Sequence, residues 1–287
     1  MQDDMIFPNS AHGQRFQWDI FLGIIILHVG ALAALWYAVA YGVSFSAALL
    51  AIGYTVMRGV GVSVGYHRML THRSFKTNSE LLRRFLFYWG GVGGQNARTW
   101  RANHLDHHRY GDTARDPYSV YWPYNGGWKG LLWAHIGALW HEYTPTPKSC
   151  AFAPDDINKD AAEWEAKYHN LIFLSGFLVP AFLLGWEGLL FPGFASLFYV
   201  FHLTWSVNSI CHIRRRGVSS KDVQGRNSLF VILGGFIGEG FHINHHTYPT
   251  AAFLGPKWWH LDFGKWVILT LEMSGLVFDV KRPHRSA

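Results

Sequence analysis

The sequence predicts an all-α membrane protein: four transmembrane helices in two hairpins, with a cytoplasmic helical cap carrying a di-metal histidine site. Three observations predict it. Apolar runs long enough to cross a bilayer come in two pairs, the turns inside each pair carry no basic residue, and the histidines cluster at ligand spacing. Composition agrees, since charged residues are only 15% of the 287 residues, against roughly 25% in an average soluble domain. Cys150 and Cys211 form neither a CxxC motif nor a disulfide framework, so a reducing compartment is allowed.

A hydrocarbon core about 30 Å thick takes roughly 20 apolar residues to cross as a helix. The first run, about 20–40, meets that with His28 as its only strongly polar residue. It follows a mixed polar leader, is too long for the apolar region of a signal peptide, and is read as a retained span. A short turn, Tyr41 to Phe45, leads into the second run, about 46–66, which carries Arg58. A charge within a span pairs, snorkels or serves function, and the sequence leaves these open for Arg58. The third and fourth runs, about 171–190 and 194–213, flank a Gly/Pro-bearing turn near Gly185 to Gly193, and His28 and His202 read as polar contacts between spans.

The segments 67–169 and 214–287 then form the cap of a single domain covering 1–287. The first holds 13 Lys and Arg residues, the second 10, the leader one and the two hairpin turns none. By the positive-inside rule both termini and every histidine cluster lie in the cytoplasm of a multi-pass protein. The net charge of +6 does not point to nucleic acid, because the basic residues flank apolar runs instead of forming a stripe. Anionic membrane lipids are the better partner. Within the cap, Leu81 to Trp100, Trp128 to Trp140, Leu229 to His246 and Trp258 to Phe278 read as short interfacial or cap helices. Trp100, Trp128, Trp133, Trp140, Trp258 and Trp259 read mainly as an aromatic belt, with an acyl tunnel as the alternative place for some of them, and His135, His141, His169 and His260 read as interfacial residues.

Three of the histidine groupings carry the chemistry: His67 with His72, then His104, His107 and His108, then His242, His245 and His246. At this composition a given HxxHH pattern arises by chance about 0.06 times per chain, and here it occurs twice. Residues at i, i+3 and i+4 share one helical face, so each HxxHH aims two or three imidazoles at one point. The i, i+5 pair His67 and His72 diverges by about 140° on a regular helix, so that box is expected to straddle a helix end. Eight clustered histidines exceed one tetrahedral zinc and suit two metals with open positions. Asp106, Asp112, Asp116 and Glu239 are the natural acceptors to orient the rings.

The segment from Tyr66 to Pro249 resembles the membrane fatty-acid desaturases, most nearly the delta-9, stearoyl-CoA type. The likeness rests on Tyr66-His67-Arg68, Thr71-His72-Arg73-Ser74-Phe75, the second box with Asp112 and Asp116-Pro117 behind it, and Gly238 through His246. In that family a further ligand follows an Asn-Ser pair near the end of the fourth span, and Asn208-Ser209-Ile210-Cys211-His212 matches. The resemblance therefore implies nine ligands (His67, His72, His104, His107, His108, His212, His242, His245 and His246) and a metal-bound water on Asn208. It implies two iron ions, O2 as co-substrate and a cis double bond, the delta-9 one by type, set into a saturated chain on CoA or phospholipid. With no haem, flavin or Rossmann motif in the chain, electrons come from a separate carrier of ferredoxin or cytochrome b5 type. Departures at Ala102, Asn103, Leu105 and Tyr118 leave the metal boxes intact and the acyl carrier open.

Set against this are a structural zinc site, a solvated histidine-rich loop, and, for His212, a helix-capping residue before the basic run Arg214 to Arg216. Competing activities are a di-iron hydroxylase of lipid, alkane or carotenoid, a zinc-dependent membrane hydrolase, and a metal transporter or sensor.

Overall fold

A computed structural model describes residues 12–213, 225–235 and 237–283. The start of the leader, the basic run Arg214 to Arg216, Phe236 within the expected helix Leu229 to His246, and the last four residues lie outside the described residues.

Among the described residues, three helical runs are long and apolar enough to cross a membrane. The first, α1 (Trp18–Tyr41), ends at Gly42, whose φ of +80° a side chain would resist. Ser44 then caps α2 (Phe45–Val60) by accepting from Ala47 N, and α2 continues as a wide-wound segment, Gly61–Thr71. The third run, Lys159–Ile210, joins α7 (Lys159–Gly188), a wide turn (Leu189–Ala195) and α8 (Ser196–Ile210). Its 52 residues would reach about 78 Å if straight, more than twice a bilayer core. The run is not straight. Leu184 and Gly185 leave helical geometry, and Phe177 meets Phe194 with ring centroids 5.0 Å apart, where a straight helix would separate them by about 25 Å. A Cβ on Gly188 would lie 1.7 Å from the Pro180 carbonyl oxygen, so only glycine permits this fold-back.

Arg58 neither snorkels nor meets a carboxylate. Fully buried, it donates to the carbonyls of Pro192 (2.8 Å), Gly193 (3.1 Å) and Gly176 (3.1 Å). It thereby ties α2 to both limbs of the fold-back and satisfies carbonyls that irregular backbone leaves open. At the far turns, Ser44 donates through its N–H (3.1 Å) and its hydroxyl to Glu187, joining the two hairpins.

The cap divides more finely than its apolar runs suggest. Leu81 to Trp100 is broken at Gly93–Asn96 into α3 (Glu80–Val92) and α4 (Ala97–Tyr110). Trp128 to Trp140 becomes α5 (Gly127–His135) and one tight turn. Leu229 to His246 becomes α9 (Leu229–Gly235) and α10 (His242–Thr247), and α11 covers Phe263–Met273. A short α6 spans Pro147–Cys150. The all-α expectation needs one correction: β1 (His12–Phe16) pairs antiparallel with β2 (His141–Tyr143), so the chain before α1 is stitched to the cap by backbone hydrogen bonds.

Burial follows this plan. Tyr66, Met69, Leu70, Phe87, Ala97, Ala161 and Ile268 form a closed core where the cap meets the wide-wound segment. The outer faces of the long helices instead expose apolar side chains such as Val39 (82%) and Phe182 (89%), as a lipid-facing surface requires.

Candidate metal centre

The first box depends on the winding of the helix that carries it. In the segment Gly61–Thr71 the hydrogen bonds run i to i+5, and His72 N donates to His67 O at 3.1 Å. Residue i+5 therefore sits one turn above residue i, and the two rings meet at 4.8 Å between centroids. His72 is indeed the residue that ends the helix, but the convergence comes from the wide winding.

The second box rides on α4, whose start is anchored twice. Asn96 caps it through Thr99 N, and buried Glu165 accepts from Ala97 N at 2.7 Å. The third box is α10 itself, and His212 directly follows α8.

Each HxxHH box aims two of its imidazoles at one point, as its spacing predicts, and the third at a second point. His67, His72, His104, His108 and His245 converge in one group, and His107, His212, His242 and His246 in the other, with ligand atoms within 4.8 Å of one another in each. Ring nitrogens face at 3.0 Å (His67 to His245), 2.9 Å (His72 to His104), 2.7 Å (His108 to His245) and 2.7 Å (His212 to His242). Two nitrogens at right angles on a metal 2.0–2.1 Å away lie about 3 Å apart. Burial pushes the pKa of His72, His104, His108, His242, His245 and His246 well below the usual value, leaving neutral rings with free lone pairs. His107 Nε2 is buried without a hydrogen-bond partner, a lone pair a metal would take. On these counts the donor set fits two metal ions.

Three of the four expected acceptors orient rings. Glu239 lies 2.8 Å from His67 Nδ1, Asp116 2.9 Å from His107 Nδ1, and Asp112 3.3 Å from His212 Nδ1. Burial opposes the charge on Glu239, but His67 and Arg68 outweigh it and hold the carboxyl below its usual range. His107 likewise has burial against its charged form, and Asp116 outweighs this to raise its pKa.

Asp106 departs from expectation. It touches none of the rings, and instead accepts from Tyr143 Oη (3.0 Å), Thr146 N (2.7 Å), Thr146 Oγ1 (2.8 Å) and Ser149 Oγ (2.5 Å), anchoring the β2–α6 loop. Its position on α4 points it away from the ligands.

A narrow cavity leads from these rings between α2, α8 and α9. His67, His104, His107, His242, Glu239 and Asn208 line one end, and Thr55 and Tyr199 lie along it, with Val62, Leu203, Val207 and Ile237 on its walls.

Sequence reasoning missed several supports. Trp100, assigned to the aromatic belt, stacks on His104 (4.8 Å, 18°) and lines the cavity; its i−4 spacing from His104 was the available signal. Trp133 is buried as well, whereas Trp128, Trp258 and Trp259 are exposed as a belt requires. Arg68 bonds Asp262 at 2.9 Å and lies 3.7 Å from Glu239, a link across 194 residues that leaves no local trace. Among the described residues, no other histidine joins either group. His28 and His202 do meet between helices (3.2 Å), and His135 extends that chain by bonding His202 at 3.0 Å. His169 bonds Glu165, and His260 stacks on Phe241.

A family model described as fatty acid desaturase matches residues 42–269, from the turn after α1 into α11. The chain belongs to the fatty acid desaturase family. Among similar proteins, hex-5-enoyl-(acyl-carrier protein) acetylenase of Moorena producens (strain JHB) is 36% identical over 89% of this chain and 82% of its own. The sn-1 stearoyl-lipid 9-desaturase of Anabaena variabilis is 32% identical over 93% and 94%. Acyl-CoA desaturase 1 of Saccharomyces cerevisiae (strain ATCC 204508 / S288c) is 31% identical, over 83% of this chain and 47% of its own. As a member of this desaturase family the chain is an oxidoreductase of lipid metabolism that acts on acyl chains, with membrane helices and histidine clusters suited to metal.

Proposed function

We propose that this desaturase sets a cis double bond at the delta-9 position of a saturated acyl chain carried by phospholipid or CoA, using O2 and a di-iron centre. The observation that carries this reading is the cavity, which brings an apolar slot directly against both histidine groups. The nine histidines would hold the metals, His67, His72, His104, His108 and His245 at one ion and His107, His212, His242 and His246 at the other, and Asn208, which lines the same end of the cavity, would hold a metal-bound water. When bound, the irons supply O2 activation and the oxidising power. The balance is one O2, two electrons and two protons in, with two hydrogens leaving adjacent methylenes and two waters formed.

The chain's own residues do the rest. Glu239, Asp116 and Asp112 hold His67, His107 and His212 with the far nitrogen turned inward. Val62, Val207, Leu203 and Ile237 exclude water and align the methylenes. In the bilayer, α1, α2, α7 and α8 form four spans in two hairpins, since the fold-back at Leu184–Gly185 splits the long run into two limbs. The basic cap residues support a cytoplasmic site and cytoplasmic termini. Electrons arrive from a ferredoxin or cytochrome b5 type donor.

The test is expression with iron in a host lacking its own desaturases, followed by mass spectrometry of the lipids. A new delta-9 cis double bond is expected. A hydroxylated product alone sinks this reading, as do one zinc per chain and turnover without O2. The acetylenase relative supports one second reading, that an already unsaturated chain is carried to a triple bond, which the same profile distinguishes.

A further inference from the structure

We infer that the seam between α8 and α9 is a lateral door through which the acyl chain of a bilayer phospholipid slides into the cavity, with Tyr199 as its latch. The inference rests on the proposed acyl-chain function of the cavity and adds the route, the side of access and the residue that controls it.

The wall between the cavity and the membrane is one side chain thick at Tyr199, which lines the cavity and is nonetheless 44% exposed. Tyr199 and Leu203 sit on α8, within a run apolar enough to span a bilayer, so the exposed flank of the cavity faces lipid. On the other side of the seam stands α9, seven residues long and without a charged side chain. Its faces are divided: Val231 and Gly235 are buried and line the cavity, while Leu229, Phe230 and Leu233 are 63–68% exposed. Such a segment has lipid on one side and the slot on the other.

What holds α9 shut is slight. A seven-residue helix is unstable alone and depends on what it packs against. Leu203 fills the space over Gly235, where an added Cβ would come within 2.8 Å of it. Among the described residues, the one side-chain hydrogen bond between α8 and α9 is Tyr199 Oη donating to Gly234 O. That carbonyl belongs to the last turn of α9, which has no helical partner of its own, and no bulk water is available in the bilayer to replace the tyrosine. One side-chain hydrogen bond, with Leu203 packed over Gly234 and Gly235, thus bridges a seam beside a slot that opens onto the histidines. A water-soluble carrier would have no reason to meet an opening bounded by Leu229, Phe230 and Leu233, whereas a lipid chain lies against it already.

The experiment uses the full chain in phosphatidylcholine nanodiscs, with a phosphatidylcholine bearing a mid-chain diazirine. After irradiation, mass spectrometry counts label on the cavity residues Val62, Trp100 and Val207, with metal present and absent. Tyr199→Phe removes one hydrogen bond and is expected to speed cavity labelling about five-fold. The pair Leu203→Cys with Gly235→Cys, oxidised, is expected to lower labelling at least ten-fold, and reduction to restore it. Unchanged labelling in Tyr199→Phe, or full labelling of the oxidised pair, overturns the door. Tyr199→Phe keeps the test alive should the cysteine pair misfold, and single-cysteine variants control for Cys150 and Cys211. Because labelling needs no turnover, door-dependent labelling without any new double bond would keep this inference and sink the desaturase reading. A delta-9 product with door-independent labelling would do the reverse.

Discussion

Two aspartates near the second box look alike in sequence and are expected to behave differently when neutralised. Asp116 accepts from His107 Nδ1 (2.9 Å), Asp112 N (2.7 Å) and Tyr118 N (2.9 Å). In Asp116→Asn the amide offers one acceptor oxygen instead of two, so at least one of these donors faces an NH2 group, and the ring of His107 loses its tautomeric preference. Losing such a support costs about 10–100-fold in metal affinity, or about 1.4–2.8 kcal/mol. Asp106 carries more hydrogen bonds but touches none of the histidine rings. Asp106→Asn is therefore expected to lower stability by about 2–4 kcal/mol, at one to two charge-assisted bonds lost, while leaving metal affinity within about two-fold. The assay is iron per chain by mass spectrometry along a chelator series, with a thermal melt in detergent beside it. In Asp116→Asn iron should fall from two per chain toward one, as the His107 group empties first. Equal iron loss in both variants, or iron loss in Asp106→Asn alone, would refute the reasoning.

Other outcomes follow from the same geometry. His212→Ala removes a buried ring that lies 2.7 Å from His242, and should abolish activity and lower iron content; survival of both would remove His212 from the site. Metal-free protein should be acid-sensitive. Six histidines have pKa values held below the unfolded 6.5, so the unfolded chain takes up protons that the folded one does not. Stability is then full above pH 6.5 and falls below it by about 1.4 kcal/mol per pH unit per such histidine, and a flat melt from pH 7 to 5.5 would contradict this. Arg58→Met should lower the melting temperature and Arg58→Lys recover little of it, because an ammonium lacks the planar fork that reaches three carbonyls; melts in detergent decide this. Thr55→Trp narrows the far part of the cavity and should change the ratio of shorter to longer chains accepted by at least about ten-fold in competition assays.

Much of this protein was legible in the chain because the signals are local. Apolar runs bounded by turns announced α1, α2 and the two limbs of the third run to within a few residues at most ends, since crossing a bilayer demands length and little else. Six of the histidines were identifiable because i, i+3 and i+4 spacing survives translation into a helix, His67 and His72 stood out as a pair just after the second run, and His212 came from a family likeness that local spacing alone would not supply. Asp112, Asp116 and Glu239 were named as supports because they sit in or beside the boxes.

Only the tertiary structure decided how those histidines divide. His104 and His108 go to one group and His107 to the other, a partition set by where α10 and the end of α8 approach α4. The same holds for Asp106 and for Arg58, whose partners are Tyr143, Thr146 and Ser149 in one case and three backbone carbonyls in the other. The wide winding that brings His67 and His72 together had no pattern in the residues, and Arg68 reaches Asp262 across 194 positions. The physical reason is common to all of them. Spacing along one helix determines which side chains share a face, but which group a face meets depends on contacts between segments distant in the chain. The sequence by itself determined that eight clustered imidazoles lie beside apolar helices, and the fold decided that, with His212, they form two groups at one end of a single cavity.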